Sequence, residues 1–237
     1  RVWLAVHLRM TGRLLVHPPG EALAGASEVL TSAGGGRAGA GGAAGAAGAQ
    51  TGAAVHREPH LRARWRLDDG SVLDFVDPRR FGTLQVFHRR RDLTPQGLEP
   101  LSRAFTPHAL SQRLAGCRAP LKTWLLQQDG IVGLGNIYAS EILFEARLHP
   151  ERPAGRLMPE EVVRLHDVTR RVLRLAIQNC GTTFSDFQTA HGVTGSYQAL
   201  LQVYGRAGEP CRVCGGVIER LVQAQRSTFW CPRCQRC

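Results

Sequence analysis

Four cysteines near the C-terminus constrain this chain more than any other feature. They are spaced Cys211-x2-Cys214-x16-Cys231-x2-Cys234. Each C-x2-C knuckle presents two thiolates from one tight turn, and two knuckles close around one tetrahedral ion, so the pattern reads as a zinc site. The alternative is a pair of disulfides in a secreted protein. Against it, no charged-then-apolar leader pattern follows Arg1, and Cys117, Cys180 and Cys237 are left over as an odd set. The 16 residues between the knuckles suffice for a β-hairpin but not for a core, so zinc is expected to supply the folding energy. From residue 206 onward there are six Arg and two acidic residues. Arg226 lies between the knuckles, placed to reach a phosphate or a ligand.

The rest of the chain reads as strands followed by helices, an α+β pattern. Val2–Leu8 is an almost continuous apolar run, expected to be a buried strand. A domain seldom opens inside such a strand, which suggests that an N-terminal portion is missing and that this strand has lost a partner. Residues 33–54 hold ten Ala and nine Gly among 22 positions, without strand or helix period, and read as a flexible insert. Leu61–Leu67 and Ser71–Val76 flank Asp69-Gly70, a hairpin signal. Asp77-Pro78 breaks the second strand, Arg79-Arg80-Phe81-Gly82 forms a turn, and Thr83–His88 is extended again. Thr106-Pro107 is an N-cap signal. Helices are expected over Leu121–Gln128 and Asn136–Arg147. A long helix opens at Pro159, ends at Gly181, and buries Val162, Leu165, Val168, Val172 and Leu175. The Gly130-Ile-Val-Gly133-Leu-Gly135-Asn136 turn joins two helices. Asn136 can cap the second, and the exposed amides of a helix start suit a phosphate. Glu141 orients that helix or pairs with an Arg. The expected division is 1–92 for a β-sandwich domain, 93–205 for a helical domain and 206–237 for a zinc finger.

The charge balance is +11, from 30 basic and 19 acidic residues, which points to a polyanion such as nucleic acid. Of the basic residues 29 are Arg; Lys122 is the one Lys. That composition fits coding bias, against which a surviving Lys stands out.

The stretches HLRMTG (7–12), DPRRFG (77–82), LKTWLLQQDGIVGLGNIYASEILFEARLHP (121–150), GTTFSDFQ (181–188) and the two cysteine knuckles with their flanks resemble the bacterial formamidopyrimidine-DNA glycosylases of the helix–two-turns–helix superfamily. The resemblance covers nearly everything but the Ala/Gly insert. It implies a β-sandwich, a helical DNA-binding domain and a zinc-finger hairpin with one structural zinc. It implies removal of oxidised purines, 8-oxoguanine and formamidopyrimidines, from double-stranded DNA, then strand cleavage at the abasic site. Met10, Arg79 and Phe81 match the residues that fill the gap left by an everted nucleotide, with Phe81 wedging into the stack and Arg79 bonding the orphaned cytosine. His60, Arg118, Lys122 and Asn136 match positions that contact DNA near the lesion. Arg226 matches the zinc-finger Arg assigned phosphate binding and proton donation in the second elimination; an Arg rarely gives up its proton, so phosphate binding ranks first. The lesion-reading loop corresponds to 187–198, where His191, Val193 and Thr194 depart from the family pattern.

The family's nucleophile, an N-terminal proline amine, and its Glu and Lys acid/base partners fall upstream of Arg1. The chain is therefore expected to hold the DNA-gripping and lesion-flipping parts without the catalytic centre. Two alternatives stand beside a glycosylase and lyase: a damaged-DNA-binding homologue that does not cut, and an endonuclease VIII-like glycosylase for oxidised pyrimidines. A monomer in the bacterial cytoplasm, associated with the nucleoid, is expected in each case.

Overall fold

The computed structural model describes residues 2–9, 11–20, 58–93, 97–182 and 195–236. Met10, the Ala/Gly stretch 33–54 and the departures at His191, Val193 and Thr194 lie outside the described residues. The chain forms two compact units. One comprises Leu4–Val86 with Asp186–Val193; the other comprises Arg1–Trp3, Phe87–Ser185 and Thr194–Cys237.

The first unit is antiparallel β. Strands β2 (Arg13–His17), β3 (Leu61–Arg66) and β4 (Val72–Val76) form a sheet in the order β2-β4-β3. Gly70, at φ +81°, closes the expected hairpin with Leu67 N–H donating to Ser71 O at 2.9 Å. Register places Arg64 opposite Asp74, and their side chains form two bonds of 2.7 Å, a charge-assisted fork that offsets burial of the carboxylate. Strands β1 (Trp3–His7) and β5 (Thr83–Phe87) make a separate two-stranded sheet. The apolar run at the start of the chain is thus a strand, but not the buried one expected: Val2 is 66% and Leu4 43% exposed. Among the described residues its neighbour in that sheet is β5, whose own Val86 is exposed, so Leu4 stays exposed while Ala5 and Val6 are only partly buried.

The second unit carries helices α1 (Pro107–Leu114), α2 (Leu121–Leu126), α3 (Asn136–Glu145) and α4 (Pro159–Gln178). Thr106 caps α1, its hydroxyl accepting from Ala109 N–H. At α4 Glu161 accepts the Met158 N–H at 2.8 Å and Arg152 at 2.6 Å, tying the helix start to the preceding loop. The buried face of α4 is Val162, Leu165, Val168, Thr169, Val172 and Ala176. Leu175 is exposed, contrary to expectation; the 3.6-residue period carries the stripe from Val172 to Ala176. These residues pack against Leu110, Leu121, Leu125, Ile131, Ile142 and Leu143 in one core. The hairpin of β6 (Glu219–Gln223) and β7 (Arg226–Trp230) belongs to this unit and contacts α3. Among the described residues no helix is long and apolar enough to cross a membrane.

Candidate nucleic-acid interface and metal centre

The two knuckles converge as their spacing predicts. The sulfurs of Cys211, Cys214, Cys231 and Cys234 lie within 4.8 Å of one another, with Cys211–Cys234 at 3.9 Å and Cys214–Cys231 at 3.4 Å. A tetrahedral Zn–S shell has S···S edges of about 3.8 Å, so the four thiols fit one structural zinc ion. Backbone amides turn toward the sulfurs, as in Val213 N–H to Cys211 Sγ at 3.5 Å, and the Gly216 amide draws the Cys214 thiol down to about 7. Behind the knuckles the apolar cluster is small: Phe144, Val203 and Ile218 with Cys211 and Cys231. Gln235, fully buried, links the site to the helical core by accepting from Cys231 N–H at 2.8 Å and donating to Leu148 O at 2.9 Å. No sequence signal marks that role.

The hairpin turn carries Arg226. Ala224 and Gln225 both have positive φ, 46° and 61°, the pattern of a type I′ turn, which matches the twist of paired strands. Beyond it Arg226 is exposed, and its side chain forms no hydrogen bond or ion pair among the described residues. Beneath the turn sits Lys122. It is not a solvated surface lysine: its exposure is 0%, and its Nζ donates to Ser227 O at 2.9 Å and Thr228 Oγ1 at 2.8 Å. Burial, and then the nearby Arg226 guanidinium, lower its pKa to about 8. Asn136 meets the same point, Nδ2 donating to Ser227 O at 3.0 Å. Gly135, not Asn136, is the N-cap of α3, because the Asn136 side chain is committed across to the hairpin. One carbonyl, that of Ser227, therefore gathers α2, α3 and the zinc hairpin.

The glycine corner has its own constraints. A Cβ on Gly130 would collide with the Trp124 ring, and Gln128 Oε1 accepts the Gly133 amide at 2.7 Å. Among the described residues Glu141 pairs with no Arg. It is 1% exposed, and its carboxylate accepts the N–H groups of Gln202, Val203 and Tyr204 at 2.8, 3.0 and 2.8 Å. Burial pushes its pKa up while those three amides act to lower it. The carboxylate anchors the segment leading into the first knuckle.

In the β unit Phe81 is 56% exposed at the tip of the Asp77–Gly82 turn, which excludes a core role. Arg79 and Arg80 precede it; Arg79 is exposed and its side chain is unpaired among the described residues. His60 is exposed at φ +66°, just before the β3 register shift, and its carbonyl accepts Asp77 N–H at 3.1 Å. Asp77, which the sequence marks only as a strand break and as part of the DPRRFG stretch, is buried under the turn. Arg118 is exposed in the loop before α2, with no hydrogen bond or ion pair among the described residues. Other Arg are internally committed: Arg206 bonds Gln202 O, Glu209 and Pro210 O. The cations left uncommitted include the three, Arg79, Arg118 and Arg226, that the family resemblance singles out.

Comparison with known proteins gives three family matches. Residues 1–84 match the formamidopyrimidine-DNA glycosylase N-terminal domain, 96–188 its H2TH domain, and 208–236 the zinc finger found in FPG and IleRS. The formamidopyrimidine-DNA glycosylase of Symbiobacterium thermophilum is 48% identical over 189 residues, 78% of this chain and 62% of that protein. That of Chloroflexus aurantiacus is 40% identical over 235 residues, 98% of this chain and 72% of that protein. The chain thus spans roughly two thirds of the length of such relatives. Among solved structures, MutM (Fpg) from Thermus thermophilus aligns with TM-score 0.75 and 37% identity, covering 99% of this chain and 76% of that one. Lactococcus lactis Fpg in complex with abasic-site DNA aligns with TM-score 0.75 and 28% identity, over 100% and 75%. With its sheet, helical corner and cysteine hairpin each matched in order, and with identity sustained across nearly its whole length, the chain belongs to the formamidopyrimidine-DNA glycosylase family.

Proposed function

We propose that this protein recognises oxidised bases in double-stranded DNA as a base-excision DNA glycosylase, with oxidised purines as substrate and abasic-site lyase chemistry following base removal. The observation that carries the reading is Phe81: a large apolar ring, 56% exposed, on a clamped turn directly after two Arg. An exposed aromatic next to cations has little reason to exist in isolation, and fits a wedge that enters a base stack while its neighbours meet polar edges and phosphates. Arg79 bonds the base left without a partner. Arg226 and Arg118 hold phosphate. Lys122 and Asn136 serve the interface by fixing the backbone from which Arg226 projects. The three-part division at residues 92 and 205 remains our proposed domain organisation.

The test is binding of the chain to a duplex carrying one 8-oxoguanine opposite cytosine, against the undamaged duplex at the same salt. Lesion-dependent binding, lost in Phe81→Ala, is expected; equal affinity for both duplexes refutes the reading. Borohydride trapping on the same duplex separates the chemistries. A covalent adduct formed by a protein that opens on the family's proline amine marks the lyase; the chain from Arg1 carries no such amine and is expected to bind without an adduct.

A further inference from the structure

One buried carboxylate holds together the segments that would meet a lesion. Asp77 is 1% exposed. Its Oδ1 accepts the Thr11 hydroxyl at 2.6 Å, and its Oδ2 accepts the Gly82 N–H at 2.7 Å. The amides of Arg79 and Arg80 lie near the same carboxylate and act to lower its pKa. Its own N–H donates to His60 O at 3.1 Å, and its carbonyl accepts Arg62 Nε at 2.8 Å and Arg80 N–H at 3.4 Å. Three segments distant in sequence therefore meet at one residue. The first is Thr11, which follows Met10 in the chain; the second is His60 to Arg62; the third is the Arg79–Gly82 turn.

The local backbone is strained in a way these bonds explain. His60 and Arg80 adopt left-handed φ of 66° and 59° without being Gly, and such conformations persist only where surrounding contacts over-determine them. Gly82 admits no side chain, because a Cβ there would overlap the Phe75 ring and approach Asp77 Oδ2 and His7 O to 3.1 Å. Burial pushes the Asp77 pKa up, but the Thr11 hydroxyl and the amides of Gly82, Arg79 and Arg80 outweigh it and leave it below the ordinary carboxylate value. An apolar residue would be cheaper to bury beneath a turn. A carboxylate fixes two donors at once, the Thr11 hydroxyl and the Gly82 amide, and the second belongs to the turn that presents Phe81.

We infer that Asp77 is a positioning residue for lesion recognition: it presets Phe81 and Arg79 for insertion beside an everted nucleotide and registers the Thr11 segment to the same frame. This rests on the lesion-recognition reading above. A wedge fixed in advance loses little conformational freedom on entering the stack, so loosening it lowers the inserted fraction rather than the general attraction to DNA.

The experiment uses the full chain and a duplex with 2-aminopurine next to 8-oxoguanine, whose fluorescence rises when the stack is opened. Asp77→Asn replaces one acceptor oxygen by a donor and removes the charge; it is expected to reduce the inserted fraction about tenfold. Thr11→Val should reduce it several-fold and Thr11→Ser should restore it, a pair that keeps the test decisive if the Asn variant folds poorly. Affinity for undamaged duplex is expected to stay within about twofold of wild type, since phosphate contacts set it. Wild-type insertion in both Asp77→Asn and Thr11→Val overturns the inference and leaves lesion recognition standing. An equal loss on damaged and undamaged duplex also overturns it, by reducing Asp77 to a folding role. No lesion-dependent signal from the wild-type chain overturns the lesion reading, and this inference with it.

Discussion

Replacing Lys122 by Met tests how the helical core holds the zinc hairpin. The side chain keeps its length and loses its charge and both hydrogen bonds, to Ser227 O and Thr228 Oγ1. Neither acceptor is orphaned. Asn136 Nδ2 still donates to Ser227 O at 3.0 Å, and Thr228 still bonds Gln223 Oε1 at 2.9 Å. The penalty for an unsatisfied buried group is therefore avoided, and what is lost is the net value of two bonds from a charged donor, about 1.5–3 kcal/mol each. Against this stands relief from burying an ammonium beside Arg226, a cost of several kcal/mol. The remainder, at most about 3 kcal/mol, raises the population of detached hairpin by up to roughly 150-fold. Amide exchange over Glu219–Trp230 and zinc release to a chelating dye should both accelerate. The slope of log affinity for DNA against log salt should stay unchanged in Lys122→Met and fall by about 0.9 in Arg226→Ala, because of these two cations Arg226 is the one free to meet a phosphate. Wild-type exchange and zinc release, together with a slope reduced by about 0.9, would show Lys122 to be the phosphate contact and refute the argument. A pH arm adds a sign. With the folded pKa near 8 against an ordinary 10.5, the unfolded chain binds the extra proton between those values. The stability contributed at this site therefore rises with pH across that window. The gap between wild type and Lys122→Met should widen from pH 8 to 10; a narrowing gap contradicts the direction of the shift.

Cys231→Ser leaves three thiolates around the metal and removes one of the few apolar contacts behind the knuckles. Zinc content measured by atomic spectrometry should fall below one per chain, hairpin amides should lose protection and DNA binding should be lost, while the α1–α4 core still melts cooperatively; full zinc with intact protection contradicts a zinc-dependent hairpin. Glu141→Ala strands three backbone N–H groups, one of them on fully buried Val203. We expect a loss of about 3–5 kcal/mol in denaturant unfolding, and a change below about 1 kcal/mol would mean that the segment finds other acceptors.

Local features of the fold were legible because their causes are local. The hairpin at Asp69-Gly70 follows from the left-handed φ that Gly supplies, and the α1 cap follows from a Thr three residues before the amide it accepts. The cysteine tetrad was legible because spacing alone brings two knuckles together. The errors arise where partners are remote. The apolar run Val2–Leu8 carries the pattern of a buried strand, but whether a strand is covered depends on what packs over it, and among the described residues β1 pairs with the exposed β5 alone. Asn136 has the residue type of a helix cap, yet its amide is committed 91 residues away.

The same remoteness explains why family resemblance alone cannot rank its own motif residues. Lys122 and Arg226 both look like phosphate-binding cations in sequence. Lys122 finds acceptors 105 and 106 residues on and disappears from the surface, while Arg226 is left exposed by the bonds Lys122 makes beneath it. Asp77 and Phe81 repeat the division: the carboxylate reaches a hydroxyl 66 residues back in sequence, and the ring four residues after it is held outward. In each pair a buried polar group, costly unless fully bonded, holds the backbone from which its neighbour projects. The outward member should therefore tolerate substitution with little loss of stability and much loss of lesion recognition. For the inward member, function should fall together with the loosening of the backbone it holds.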